Sequence, residues 1–290
     1  MTAHSAHTQH ELKVRNVHFE FDEVPKHWIL NSAVATHFIN SMHIVFPEGE
    51  KFFIRSVRRF TKDVKSAYLK KEINSFCGQE GVHAREHQRF WEVMEEQKIK
   101  PLPFANFLKI TAFSGEYSYE NLSIKLLNKI QPRLGDKFAL SVTTALEHYT
   151  AILANALFYE PLATNKNIAP QMLEMLHWHA SEEIEHKAIP FDVLKKVDDS
   201  YTLRIGGMLI ATWGLWFYLI VGTSMLTYND KDVKTKDIPK YLLQFLTRFK
   251  QNFGGTLAAQ YWLYYRKDFH PDQIDNYHLA EELLAGKNYA

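Results

Sequence analysis

The sequence predicts an all-α fold on two observations. Apolar residues recur at alternating steps of four and three through four long segments, and the only stretch that reads as extended is a short one around Val17 to Phe21. The 290 residues are enough to bury a sizeable core, as one large helical domain with an appendage or as two domains. Four regions follow: a tail with the short extended segment (1–26), a helical bundle (27–200), a long apolar helix or hairpin (201–230), and C-terminal helices packed on the bundle (231–290).

Composition removes several function classes. A formal net charge of +1 gives no broad footprint for nucleic acid. The single Cys77 excludes an intrachain disulfide framework and a four-thiolate metal centre, which suits a reducing, cytoplasmic setting. The opening M-T-A-H-S-A-H-T-Q-H lacks the basic start and apolar middle of a secretory signal. Its His4, His7 and His10 sit in a polar, unanchored stretch and read as loose chain rather than as a metal site.

In chain order, a helix is expected from about Trp28 to Phe46, with Pro47 starting another at P-E-G-E-K-F-F-I-R-S-V-R-R-F. On that second helix Glu50 shares a face with Phe53 or Ile54 and Val57, whereas Glu48 points with Arg55 toward water. The next helix, roughly Val64 to Gln97, carries the stripe Leu69, Ile73, Phe76, Glu80, His83, His87, Phe90 and Met94. After a connection with extra helix near Asn121 to Ile130, a helix from about Asp136 to Tyr159 places Glu147 among small neighbours. A further helix runs through Met172, Leu176, His179, Glu183, His186, Pro190 and Val193 on one face. Glu182 and Glu185 fall off that stripe and are expected on a solvated face. Toward the end, Y-L-L-Q-F-L-T-R-F-K and T-L-A-A-Q-Y-W-L-Y-Y-R read as amphipathic helices, with a weak basic stripe through Lys240, Arg248 and Lys250.

Carboxylates and imidazoles on apolar stripes are costly to bury unless paired or bound to something. The chain offers, in order, Glu50, Glu80-x-x-His83, Glu147 and Glu183-x-x-His186. In E-x-x-H both side chains reach one ion from successive helical turns, and this order is that of a four-helix di-metal carboxylate site. A single E-x-x-H is commonly solvated. Two copies, each preceded by a helix with one inward Glu, favour metal over a buried ion-pair network.

F-P-E-G-E-K-F-F, Q-E-G-V-H-A-R-E-H, A-L-E-H-Y-T-A, W-H-A-S-E-E-I-E-H-K-A and Y-R-K-D-F-H-P together resemble the family of predicted metal-dependent hydrolases, over about Val34 to Pro271. The resemblance implies a ferritin-like four-helix bundle with additional N- and C-terminal helices, and Glu50, Glu80, His83, Glu147, Glu183 and His186 as ligands of two metal ions. Iron suits that donor set first, with manganese or zinc as alternatives. His87 and His179 lie one turn from their E-x-x-H units. They are candidate catalytic groups as proton shuttles, or partners of the ligands, or further ligands. Cys77 reads as a small buried hydrophobe.

Two enzymatic expectations follow. The carboxylate-rich set favours dioxygen-dependent oxidation of a hydrophobic or lipid-like substrate at a di-iron centre, which needs an electron donor if it is an oxygenase. The family description favours hydrolysis, with two metals polarising a carbonyl or phosphoryl group. Iron binding or storage is the non-enzymatic alternative. The uncharged run Ile205 to Asn229 suits insertion at the inner membrane surface as a monotopic anchor or hairpin. A buried or homodimer helix and a single span are its other readings.

Overall fold

Four serines start four of the helices. Ser32, Ser66, Ser118 and Ser200 each hold extended backbone, and each hydroxyl accepts the backbone N–H three residues on, so one otherwise unpaired donor per helix is satisfied. The computed structural model describes residues 11–29, 31–159, 168–285 and 287; His4, His7 and His10 lie outside them, as does the Arg248 side chain. The helices are α1 (Ala33–Arg58), α2 (Ala67–Glu96), α3 (Pro101–Thr111), α4 (Tyr119–Ile130) and α5 (Leu134–Tyr159). They continue as α6 (Pro170–His186), α7 (Ile189–Val197), α8 (Tyr201–Asn229), α9 (Ile238–Leu263) and α10 (Tyr277–Ala285). The fold is all-α: the described residues form no strand, only an isolated bridge between Ile29 and Ile168.

Residues 11–21 run as an extended strap, with Leu12, Val17, Phe19 and Phe21 buried, Arg15 half-buried and the other side chains exposed. α1 packs along α2, and α5 packs along α6 and crosses α1. Two apolar clusters form the core. Along α1 one cluster takes Ile44 and Val45 and the other Phe52, Phe53 and Val57. Along α2 the corresponding groups are Val82, Phe90 and Met94 against Ile73 and Phe76, and on either side of the α6 terminus they are Ile184 and Ile189. Glu50, Glu80 and His186 stand where each of these helices passes from one cluster to the other. The polar chamber therefore occupies the seam between two dry half-cores.

Four sequence expectations about helix boundaries change. Pro47 does not start a helix; it lies inside α1. A proline there supplies no N–H to the His43 carbonyl one turn earlier, and the Trp91 indole N–H of α2 donates to that oxygen instead (2.9 Å). Replacing Trp91 with Phe is therefore expected to cost roughly 1–2 kcal/mol by leaving the His43 carbonyl without a donor. Denaturant midpoints would measure this. Pro47→Ala, which restores a helical N–H, should recover most of the loss in the double variant, and an additive double variant would refute the account.

The helix bearing His186 ends there. Pro190 has no N–H for the His186 carbonyl, and α7 begins afresh at Ile189. At the break the buried Lys187 ammonium donates to the Ile274 carbonyl (2.6 Å) and Asn276 Oδ1 (2.5 Å), over the Tyr277 ring. Asn276 in turn donates to Asn155 Oδ1 of α5 (3.1 Å), so the C-terminal segment braces the end of α6.

The uncharged run is one continuous helix, α8, and not a hairpin; the two C-terminal segments likewise merge into α9. By length and composition α8 is able to cross a membrane, but both of its ends are tied to the bundle. Near its start Arg204 donates to the carbonyls of Tyr264 (2.8 Å) and Arg266 (2.7 Å). Just past its end the Asp230 carboxylate takes Lys26 (2.5 Å), His27 (2.7 Å) and His37 (2.9 Å). This excludes the arrangement in which α9 lies across a membrane from the bundle. Two glycines of α8 have a packing role: a Cβ at Gly207 would fall 2.5 Å from the Ser141 backbone of α5, and one at Gly222 would strike Phe104 and Ser41. The outer face exposes Leu209, Trp213, Phe217 and Ile220.

Candidate metal centre

α1 brings Glu50, α2 brings Glu80 and His83, α5 brings Glu147, and α6 brings Glu183 and His186 into one chamber, where none of the six is more than 3% exposed. His186 is central. Its Nε2 lies 3.3 Å from Glu80 Oε1 and 3.9 Å from Glu183 Oε1, and its Nδ1 lies 3.1 Å from Glu147 Oε2. His83 Nδ1 lies 3.4 Å from Glu183 Oε1 and 4.0 Å from Glu80 Oε2. Glu50 Oε1 stands 3.6 Å from His87 Nε2 and 3.9 Å from His179 Nε2. All eight residues singled out in the sequence thus share one site.

The donor atoms pass a test for a cation. Both oxygens of Glu50 and of Glu80, Oε1 of Glu147, Oε2 of Glu183, Nδ1 of His83 and Nε2 of His186 are buried without a hydrogen-bond partner. Such groups are rare in a folded interior because each costs its desolvation energy. Here all belong to carboxylates or imidazoles, the residue types that bind metals such as iron, manganese and zinc. Glu80, His83, Glu183 and His186 each offer an atom within 4.8 Å of the others, and Glu50, His83 and His179 form a second, overlapping set. A third grouping among the described residues, His27, His37 and Asp230, is already closed by the Lys26 ammonium.

Electrostatics agree with an unneutralised cluster. Burial pushes the carboxyl groups of Glu50, Glu80 and Glu147 well above the usual carboxylate range. Burial acts the same way on Glu183 but is outweighed by the His186, His179 and His83 imidazoles, which hold it well below that range. Burial lowers His186 to about 4. On His83 burial acts downward too, yet the Glu182 and Glu183 carboxylates raise it to about 10.

Glu182 corrects the sequence reading, for it is fully buried and not solvated. Its Oε2 lies 2.9 Å from His83 Nε2, while its Oε1 accepts from Arg15 of the strap (2.9 Å) and from the Trp178 indole (3.1 Å). Once His83 has released its second proton, donation from Nε2 to Glu182 fixes the tautomer and presents the Nδ1 lone pair to the chamber. Arg15 also grips Glu185 with both terminal nitrogens (2.7 and 2.8 Å), and Gln79 donates to Glu185 as well (3.0 Å). The sequence carries a signal for this: Met175, Trp178, Glu182 and Glu185 form a second stripe on α6, and the first three are buried.

His43 is the other group missed. It occupies the same four-and-three stepping on α1 as Glu50, through Pro47. A file of imidazoles results. His43 Nδ1 is 2.7 Å from His87 Nδ1, His87 Nε2 is 3.0 Å from His179 Nδ1, and His179 Nε2 is 2.7 Å from Glu183 Oε1. Burial lowers His43 to about 3 and pushes His87 and His179 down as well. Cys77 is buried, and burial raises its thiol pKa, consistent with an inert packing role.

Two largely apolar cavities reach the chamber. One, of about 220 Å³, lies among α1, α5, α6 and α9; the other, of about 320 Å³, lies among α1, α3, α5 and α8. Phe46, Thr150, Leu153, His179 and Glu183 line both.

The fold and site define a class: an all-helical protein with a buried carboxylate and imidazole chamber suited to a metal and open to apolar space. A family model described as predicted metal-dependent hydrolase matches residues 13–275, and the chain belongs to that family. No curated protein and no solved structure matches the chain.

Proposed function

We propose that the protein is a metal-dependent hydrolase of apolar substrates, with Glu50, Glu80, His83, Glu147, Glu183 and His186 holding two metal ions in a ferritin-like bundle. The observation that carries this reading is the set of unpartnered donor atoms of those six residues, reached by the two apolar cavities. Bound metal ions would polarise the scissile carbonyl or phosphoryl group and lower the pKa of a water. The chain's own residues do the rest. Phe46 and Leu153 keep bulk water from the cavity junction and orient the apolar substrate. His179, on the junction, donates from Nε2 to the ionised Glu183 carboxylate and turns its Nδ1 lone pair toward His87, so it is placed to accept a proton at Nδ1 from His87 and to pass one from Nε2 toward the chamber. Apolar walls also suit substrate delivered from a lipid surface.

A second reading is dioxygen-dependent oxidation at a di-iron centre. The distribution of donors over four helices, two E-x-x-H units and two single Glu residues, favours it. That donor set alone ranks oxidation first; the family match reverses the order. Protein loaded with zinc or manganese would be assayed on apolar esters, amides and phosphoesters. In parallel, anaerobically loaded ferrous protein would be followed for dioxygen uptake, with Glu147→Ala and His186→Ala as controls for both. Hydrolysis lost in both controls supports the first reading. Uptake of about one dioxygen per two irons without hydrolysis replaces it by the second.

A further inference from the structure

The two cavities lie side by side and share one stretch of wall. Each is walled largely by apolar side chains, the same five residues line both, and Glu183 and His179 are the titratable groups among those five. Phe46 forms part of both walls and packs its ring 5.1 Å from His87 and 5.3 Å from His179, so it stands as a partition above the imidazoles. A molecule whose reacting group touches Glu183 or His179 therefore sits at the junction, with apolar space leading away in two directions. A substrate with one tail would fill one direction and leave the other cavity beside the reacting group, open to water that gains few hydrogen bonds from its largely apolar walls.

We propose that the substrate carries two apolar arms, one on each side of the group that reacts, and that each cavity takes one arm. The cavity under α8 accommodates the longer arm, having the larger volume. Resting on the hydrolase reading, this names the substrate class: an ester or amide joining two hydrocarbon chains. Hydrolysis of such an ester adds water across the acyl C–O bond and gives one carboxylic acid and one alcohol. Each product is then housed in a separate cavity, with no product tail crossing the partition.

Binding of unreactive dialkyl ethers tests the arms without requiring turnover, so the result stands apart from whether the reaction is hydrolysis. Tryptophan fluorescence of metal-loaded protein would compare a symmetric two-armed ether with a methyl alkyl ether of the same total carbon number. The symmetric ether is expected to bind at least tenfold more tightly, since each methylene placed in apolar space contributes up to roughly fourfold. Two variants narrow one cavity each. Gly214→Leu enters the cavity under α8, where a Cβ meets nothing within 4 Å and leucine is the better helix former. Leu157→Trp enters the cavity beside α9. Each should abolish the preference for the symmetric ether while the one-armed ether still binds, which also shows that the variant is folded. Equal binding of the two ethers by the unaltered protein would overturn the proposal, as would a preference that survives both variants. A preference lost only with one variant would assign the other cavity to entry or exit and would overturn it too.

Discussion

Adding a divalent cation in large excess over its dissociation constant is expected to raise the melting temperature of metal-free protein by roughly 10 °C for each site filled. A thousandfold excess over that constant contributes about 4 kcal/mol per site, and in a chain of this size each kcal/mol moves the midpoint by about 2–4 °C. The physical reason is the chamber itself, where four carboxylates share one buried volume and eight donor atoms lack partners. The sign of the pH dependence should also reverse on loading. In metal-free protein the folded pKa of His83, about 10, exceeds its ordinary value near 6.5. Its contribution is fully present below about pH 6.5 and is lost as pH rises toward 10. The raised carboxyl groups of Glu50, Glu80 and Glu147 act in the same direction, because their ionisation is opposed by burial. Loaded protein binds these groups deprotonated, so its stability should hold at alkaline pH and fall on acidification as protons compete with the ion. Calorimetric scans from pH 6 to 10, with and without metal, would measure both slopes. An equal thermal shift in Glu147→Ala and His186→Ala would place the ion elsewhere, and no shift with any of iron, manganese or zinc would refute a metal site.

Glu182→Ala should produce the second large effect. Removing this carboxylate strips His83 Nε2 of its acceptor and takes from Arg15 and Trp178 a bond each. Breaking one partner out of a buried charged network costs roughly 3–5 kcal/mol, and losing the group that orients a ligand imidazole weakens metal binding about 10–100-fold. Chemical denaturation and competitive chelation would read the two quantities separately. Arg15→Ala is the milder companion, since it leaves His83 and Trp178 still bonded to Glu182. If Glu182→Ala binds metal as tightly as the unaltered protein, His83 is not a ligand through Nδ1.

The contrast between Glu183 and Glu182 shows what the sequence makes legible. Glu183 sits on a stripe with Met172, Leu176 and His179, so its inward direction follows from helical geometry alone. Glu182 lies one step around the same helix, and its direction depends on a second buried face and on Arg15, which arrives from a strap with no helical period. Local periodicity reports one face of a helix; a partner from a distant irregular segment leaves no trace in it. Similar reasoning covers Pro47. A proline reads as a helix start because most helices cannot replace the lost bond, and here the replacement comes from Trp91 in another helix, 44 residues on. The strong repeated signals, two E-x-x-H units and two inward Glu residues on separate helices, lie in the chain's local order and were readable. The His43 position was readable as well, since it steps in phase with Glu50.

The bond from the Trp91 indole to the His43 carbonyl also acts as a register lock. Within an ordinary helix every mid-helix carbonyl is spoken for by its own chain, so a neighbouring helix is held in register by side-chain packing rather than by bonds to the backbone. Pro47 frees one carbonyl, and the Trp91 bond to it joins the His43–His87 contact in fixing how far α1 stands along α2. A slip of one residue would carry Glu50 about 1.5 Å past Glu80 and His83, several times the tolerance of roughly 0.5 Å that a metal or catalytic constellation allows. One missing N–H, a single turn before Glu50, thus adds a directional bond at the height where two helices meet and helps keep their donors level.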